Sequence, residues 1–410
     1  MLTLRFLVPI LTLLLLASGA RKASGETFAY TPREDGKIAT YRVSASGTFD
    51  PVRSDPVPSG GRPLVLTPSV DKRFLYAYPA FDVTKDGYST EEIGDEKRIK
   101  VVASKPTRIT VFFVGAGGTL RRLSTTTVPA PIGQIVPHPG GQFVYGLTAT
   151  RGAFILQVSR DGSLRLAGST PVKSGMELGD IPGERDAWGL TFSPNGAYLY
   201  AFRGDGFVDH AENYLQRYKV NRANGRLTSH GQLWFSSRKE PESVALDPGM
   251  VRLFVGNTAF VKGFADGIWV CRVDEAGRIL SPGSRLALVP KGQAAYGKGQ
   301  LLTQHPILPL VVYRGSDPDP YSLWRVTAPG KVSKIAAFAS AFPERPPVTL
   351  YADPSGRYLY EIQVLYPART VRVAAFAWGK TGTHVTAASP PKTIPNADGN
   401  DFVLVTVPAK

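Results

Sequence analysis

Apolar and polar residues alternate along the chain with the two-residue period of β-strands, and turn residues interrupt the alternation at intervals. The clearest stretch is Gly189–Gly204, GLTFSPNGAYLYAFRG. Leu190–Phe192 has strand character, Ser193-Pro194-Asn195-Gly196 carries turn chemistry, and Tyr198–Phe202 reads as an aromatic-rich second strand. The same hairpin recurs as LVLTPSVDKRFLYAY from Leu64, IVPHPGGQFVYGL from Ile135, VALDPGMVRLFVG from Val244, LLTQHPILPLVVY from Leu301 and LYADPSGRYLYEI from Leu350. Pro68, Pro139, Pro194, Pro248, Pro306 and Pro354 anchor these inner hairpins.

A second series of hairpins fills the gaps, each with a glycine turn: Gly47, Gly118, Gly162, Gly225, Gly277, Gly330 and Gly382. These outer hairpins outnumber the inner ones by one, and the two ends of the sequence supply the missing inner hairpin. Phe402–Val407, followed by Pro408, matches a first inner strand, and Phe28–Tyr30 matches a second. The expected fold is all-β, a seven-bladed β-propeller whose ring is closed by pairing of the N- and C-terminal strands in one blade.

Residues 1–25 read as a signal peptide, with Arg5 as the positive region, Phe6–Leu16 as the apolar run and Ala23-Ser24-Gly25 as small residues for cleavage. A cut after Ala20 is the alternative. The apolar run falls short of the roughly 20 residues a membrane span needs, so no transmembrane domain is expected. Residues 26–410 then form a single propeller domain of a secreted or periplasmic protein, expected to be monomeric. Cys271 is the sole cysteine, which rules out an intramolecular disulfide.

The formal net charge is +15, three charges fewer once Arg5, Arg21 and Lys22 leave with the signal. In an exported protein that balance points to an envelope polyanion or a small anionic carbohydrate or lactone. The basic residues are dispersed, without a run resembling a nucleic-acid-binding arm, so no nucleic-acid partner is expected. Function in such a scaffold enters through loops. The insert Phe81–Arg108 has mixed charge that suits an exposed lid or a protruding hairpin, and Pro171–Trp188 should run between two blades at the channel mouth. Arg203–Asn213 gathers Asp205, Asp209, His210 and Glu212, oxygen-rich enough for calcium but without EF-hand spacing. No metal site and no cofactor are assigned.

The sequence contains no Gly-x-Ser-x-Gly elbow, no His-Glu-x-x-His and no Walker loop. His138 and His305 each precede the anchoring proline of an inner hairpin, a place for a structural residue. The alternation of inner hairpins of the form β-x-β-x-Pro-x-Gly-x-aromatic-Leu-Tyr with outer Tyr-x-Val-x-x-x-Gly-x-Leu hairpins resembles the lactonase family of seven-bladed propellers. That family includes propeller-type 6-phosphogluconolactonases and is similar to carboxymuconate cyclase. The resemblance spans the whole chain after the signal and implies hydrolysis of a small anionic lactone or sugar derivative.

Where active members of that family carry Arg and His before the inner strand, this sequence has Arg62 in one copy and Gln134 in the next. Where they carry Asn-Glu after the second strand, it keeps Asn257 but has Thr258. A lactonase needs a base and cations for the developing oxyanion and any substrate anion. At the channel end where inner strands begin and second strands finish, the candidates are Glu242 as the catalytic base, Arg62, Arg203 and Arg314 as anion contacts, Gln134 and Asn257 as orienting amides, and Trp188 as a stacking wall. The other reading is a noncatalytic scaffold whose rim binds an envelope polyanion or a protein partner.

Overall fold

A strand that is apolar on both faces needs cover on both faces, and the second strands of the inner hairpins are of this kind. Phe74–Pro79 and Phe143–Thr148 are buried almost without a break. Stacking sheet on sheet supplies that cover. The structure is a computed structural model that describes residues 25–33, 35–56, 64–79, 88–93, 96–101, 105–148, 152–172, 190–193, 195–203, 214–234, 240–246, 252–258, 267–274, 279–287, 302–306, 308, 310–314, 321–327, 331–342, 349–353, 355–365, 370–395 and 403–408.

Among the described residues the strands form seven four-stranded antiparallel sheets and one separate pair, arranged as a β-propeller. Sheet one holds Leu64–Pro68, Phe74–Pro79, Thr107–Val114 and Leu120–Val128. Sheet two holds Ile132–Pro137, Phe143–Thr148, Gly152–Val158 and Leu164–Pro171. Sheet three holds Leu190–Phe192, Tyr198–Arg203, Tyr214–Val220 and Leu227–Trp234. Sheet four holds Glu240–Leu246, Arg252–Thr258, Gly267–Val273 and Ile279–Ala287. Sheet five holds Leu302–Gln304, Leu310–Arg314, Tyr321–Thr327 and Lys331–Phe338. Sheet six holds Thr349–Ala352, Tyr358–Leu365, Thr370–Trp378 and Val385–Pro395.

Sheet seven is assembled from distant parts of the chain. Val403–Pro408 pairs with Gly25–Pro32 in the register Phe28↔Val405 and Tyr30↔Val403, and Lys37–Val43 and Phe49–Pro56 complete the sheet. The first strand Val403–Pro408 touches the first strand of sheet one, while Phe49 of sheet seven packs on Tyr360 of sheet six at a ring-centroid distance of 5.1 Å. The insert between Phe81 and Arg108 contains the separate hairpin, Tyr88–Ile93 against Glu96–Val101, with Glu91 opposite Arg98 and Glu92 opposite Lys97. Cross-strand pairs of opposite charge stabilise a two-stranded ribbon.

The core is divided among the sheet junctions. One cluster joins sheets one and two through Phe74, Tyr78, Ile109, Ile135 and Val144. Another joins sheets seven and one through Phe28, Tyr30, Leu66 and Phe112, and a third joins six and seven through Ala29, Phe49, Tyr360 and Leu404. Each fully buried aromatic of this kind stabilises by about 1.5 to 3 kcal/mol.

At the junctions, the glycine turn of one sheet's outer hairpin presses against the second strand of the preceding sheet. A Cβ on Gly118 would lie 2.3 Å from Phe28, and one on Gly162 would lie 2.3 Å from Phe74. Gly225 faces Phe143, Gly382 faces Leu310 and Gly47 faces Tyr358 in the same way. All five glycines have positive φ, between +65° and +86°. Tyrosines fasten the same seams: Tyr30 donates to the Gly118 carbonyl at 3.0 Å, Tyr145 to the Gly225 carbonyl at 2.6 Å, and Tyr358 to the Ala45 carbonyl. These turns therefore require glycine twice over, for backbone conformation and for the neighbour's ring.

Neighbouring glycines separate the two requirements. Gly117 has φ +70° with open space around its Cβ position, whereas Gly118 has φ +74° and the Phe28 ring against it. Gly117→Ala is expected to cost about 1 kcal/mol, the backbone contribution alone. Gly118→Ala should cost about 1 to 3 kcal/mol more, from overpacking. Urea unfolding of both variants checks this, and equal costs would remove the junction from the account.

Candidate functional site

The sheets have two ends. At one lie the proline-containing turns of the inner hairpins, and at the other, the mouth end, the inner strands begin and the second strands finish. Strand register brings most of the residues singled out in the sequence to the mouth end. In sheet four Pro241 pairs with Asn257 and Ser243 with Gly256, which leaves Glu242 as an extra residue at a β-bulge. In sheet two Ile132 pairs with Thr148 and Gln134 with Leu147, leaving Gly133 extra at the corresponding place. Bulges re-aim side chains and are over-represented beside active sites. Arg203 pairs with Tyr214 at the end of its strand in sheet three, and Arg314 pairs with Tyr321 in sheet five. Sheets two, three, four and five thus each deliver a candidate residue to one end. Arg62 and Trp188 lie outside the described residues, as does most of the loop Arg203–Asn213.

Among these candidates the structure describes the side chain of Gln134. It is half-buried, and its Oε1 is buried without a hydrogen-bond partner among the described residues. An unsatisfied buried acceptor costs about 1 to 3 kcal/mol, and such atoms call for an explanation. The surrounding backbone is firmly seated. The Ile132 N–H donates to Thr107 Oγ1 at 3.2 Å and the Ile135 N–H donates to the Tyr78 hydroxyl at 3.0 Å, both across the junction with sheet one. Gln134 therefore sits between two cross-sheet bonds, pre-organised to offer an amide at the mouth.

A carboxylate that sequence reasoning passed over lies between sheets five and six. Glu361 is fully buried and accepts from the Tyr321 hydroxyl at 2.9 Å, from the Ser340 hydroxyl and from the Ala341 N–H at 2.8 Å. Tyr321 is the cross-strand partner of Arg314, so this acid holds the strand that faces one of the proposed anion contacts. Beside it, Gln363 accepts from Arg372 at 3.3 Å, and the Arg372 guanidinium lies 4.5 Å from the Phe342 ring centre. A carboxylate filled by three donors and closed to solvent locks two sheets together and has no route to a substrate proton. Its signal was in the repeat: LYEI carries an acid where the equivalent positions are Ala77, Gly146 and Ala201.

The turn end holds the histidines. His138 Nδ1 accepts from the Gly140 N–H at 3.0 Å, which fixes the proton on Nε2, and Nε2 donates to the Gly196 carbonyl of sheet three at 2.8 Å. His305 repeats the arrangement, accepting from the Leu308 N–H at 2.9 Å and donating to Gly356 of sheet six at 3.0 Å. Both are structural, as their place in the turn implies. Burial holds both below the ordinary histidine pKa. The bond to Gly196 partly opposes the shift in His138, which nearby Arg222 reinforces, and the bond to Gly356 partly opposes it in His305. Among the described residues no three His, Cys, Asp or Glu side chains gather as a metal site. No helix among them is long and apolar enough to cross a membrane.

Comparison with known proteins gives fold without close kinship. No family model matches the chain, and no curated protein does. Solved structures match along nearly its whole length. The periplasmic gluconolactonase PpgL of Pseudomonas aeruginosa superposes with a TM-score of 0.63 at 17% identity, over 94% of this chain and 99% of that one. A Bacteroides uniformis protein assigned provisionally as a 6-phosphogluconolactonase gives 0.65 at 15% identity, over 93% and 100%. A Bacteroides fragilis protein with the same provisional assignment gives 0.63 at 14% identity, over 93% and 99%. The chain is therefore similar in fold to lactonase-type propellers, the likeness its repeats suggest.

The histidine bridges set a pH dependence. Their folded pKa lies below the unfolded value of about 6.5, so between the two the unfolded chain binds more protons. Their contribution is complete above about pH 6.5 and is lost as pH falls toward the folded value. Wild type should lose stability as pH falls from about 6.5 toward 5, and His138→Gln with His305→Gln should flatten that part of the profile. An unchanged pH profile of urea midpoints in the double variant would count against the bridges.

Proposed function

We propose that this chain is an exported, lactonase-like propeller that hydrolyses a small anionic lactone or sugar derivative at the mouth end of its channel. On this reading residues 1–25 are a signal peptide and residues 26–410 one domain, whose sheets are the seven blades of a ring closed by the pairing of Gly25–Pro32 with Val403–Pro408. The observation that carries the reading is the register. It sets Glu242 on a bulge at the mouth end, in the same set of strand ends as Gln134, Arg203, Asn257 and Arg314. The similarity in fold to a periplasmic gluconolactonase supports both the place and the chemistry.

The mechanism follows from what these groups can do. Glu242 takes a proton from a water molecule, whose oxygen attacks the lactone carbonyl. The N–H groups of the Gln134 and Asn257 amides stabilise the tetrahedral oxyanion. Collapse of that intermediate breaks the ring C–O bond, and Glu242 returns its proton to the departing alkoxide. Arg62, Arg203 and Arg314 hold the carboxylate or phosphate of the substrate, and Trp188 forms a stacking wall. No metal or cofactor takes part in this scheme.

General base catalysis contributes roughly 100- to 10,000-fold. Glu242→Gln is therefore expected to lower kcat on a phosphorylated or carboxylated sugar lactone at least about 100-fold, with the thermal unfolding midpoint unchanged. Arg203→Gln and Arg314→Gln should each reduce kcat/KM by about 10- to 100-fold, the worth of a desolvated charge-assisted contact. Full turnover in Glu242→Gln would eliminate the proposed base. The positive net charge is also compatible with a second reading, a scaffold for an envelope polyanion. That reading gains if wild type turns over no lactone and binds an anionic polymer with an affinity that declines smoothly with salt.

A further inference from the structure

The inner-hairpin turns of sheets one, two, three and six share one backbone pattern, and in sheets one, two and five the residue that opens the turn bears on how the junction with the next sheet is filled. In sheet two that residue is His138, whose N–H donates to Phe143 O at 2.9 Å, while the Gly141 N–H donates back to His138 O at 2.8 Å. Its ring crosses to the next turn, so close that a Cβ on Gly196 would lie 2.5 Å from it. Phe192 and Phe143 meet the same ring edge-on, at 5.2 and 6.4 Å. His305 crosses to Gly356 in the corresponding way.

Sheet one has the same turn with a different opening residue. The Ser69 N–H donates to Phe74 O at 2.8 Å and the Lys72 N–H to Ser69 O at 3.1 Å, but the side chain is a hydroxymethyl group. The Ser69 hydroxyl stays in its own turn, donating to Asp71 at 2.6 Å and accepting from the Phe74 N–H at 2.9 Å. It does not cross to Gly141, the counterpart of Gly196 and Gly356. A Cβ on Gly141 would meet nothing within 4 Å. Where sheets two and five place an imidazole, the junction of sheets one and two has a cleft of about 410 Å³, lined among others by Ser69, Arg73, Phe74, Gly140, Gly141 and Arg160. That volume lies in the range of small-molecule sites.

We infer that this cleft, at the end of the propeller opposite the mouth, is a binding site for a small planar N–H heterocycle carrying one carboxylate. The ring takes the place that His138 and His305 fill at their own junctions, and its N–H meets the Gly141 carbonyl as theirs meet Gly196 and Gly356. The carboxylate goes to Arg160, which is exposed and has no ion pair among the described residues. Arg73 is already matched by Asp71 at 4.0 Å and lies over the Phe74 ring at 5.3 Å, so the lip carries one cation to spare. A single negative charge on the ligand is what that balance selects. The site is independent of the lactonase reading and shares no residue with it.

Calorimetric titration of the full chain with imidazole-4-carboxylate and with imidazole tests the inference. Wild type should bind the carboxylate saturably, at least tenfold more tightly than imidazole. Arg160→Gln should bring the two probes to the same affinity. Ser69→His should abolish binding of both and raise the thermal unfolding midpoint by a few degrees, because the new ring bridges to Gly141 as its counterparts do. The absence of saturable binding to wild type would overturn the proposal, as would undiminished binding to Ser69→His. If Ser69→His does not fold, the Arg160→Gln comparison decides, and a preference for the carboxylate that survives this substitution overturns the site.

Discussion

The approach of a turn glycine to an aromatic ring on the preceding sheet is the contact on which the structure depends. Gly118 on Phe28, Gly162 on Phe74, Gly225 on Phe143 and Gly47 on Tyr358 set how near each sheet stands to the last. With that spacing fixed, clusters of Tyr, Phe, Leu and Val pack between the sheets, and the tyrosine hydroxyls find the carbonyls of the same turns. A side chain at any of these glycines would hold two sheets apart along a whole seam. The seams are dense, which is how a repeat protein accumulates stability from neighbour to neighbour.

The same rigidity explains why a functional site can sit at strand ends. Gln134 is positioned by bonds from Ile132 and Ile135 to the adjoining sheet, and Glu361 ties the Ser340–Phe342 segment to the strand facing Arg314. Groups mounted this way stay in place without help from the loops. The proposed chemistry at the mouth draws on residues from several sheets, so the spacing set at the seams would also set the geometry of that site.

Much of the fold was legible in the sequence because strand period, turn proline and turn glycine are local signals. The two hairpin series marked the strands, the described outer-turn glycines took the positive φ their position demands, and FVLVTV was matched to FAY across nearly the whole chain. The site was less legible because side chains act there through partners that the sequence does not place nearby. Glu361 sits in an ordinary copy of the repeat, and only its burial and three donors from one other strand and one loop give it meaning. The bulge at Glu242 was hidden for a related reason, since register belongs to a pair of strands and cannot be read from one. The histidines were placed correctly as turn residues, but the carbonyls they reach, on Gly196 and Gly356, belong to the next repeat.

Sheet seven carries a consequence for the order in which the molecule is made. Thr27 and Thr406 meet side chain to side chain although 379 positions separate them, a contact whose loop-closure entropy is about 5 kcal/mol before any constant is added. Sheets one to six can form as the ribosome delivers them, since each draws its strands from one continuous stretch. Gly25–Pro32 is synthesised before them all and waits with one edge uncovered until Val403–Pro408 arrives. For most of its synthesis the nascent chain therefore exposes one unpaired edge of a strand that carries Phe28 and Tyr30, and the interval before that edge is covered is when a chaperone has most to protect.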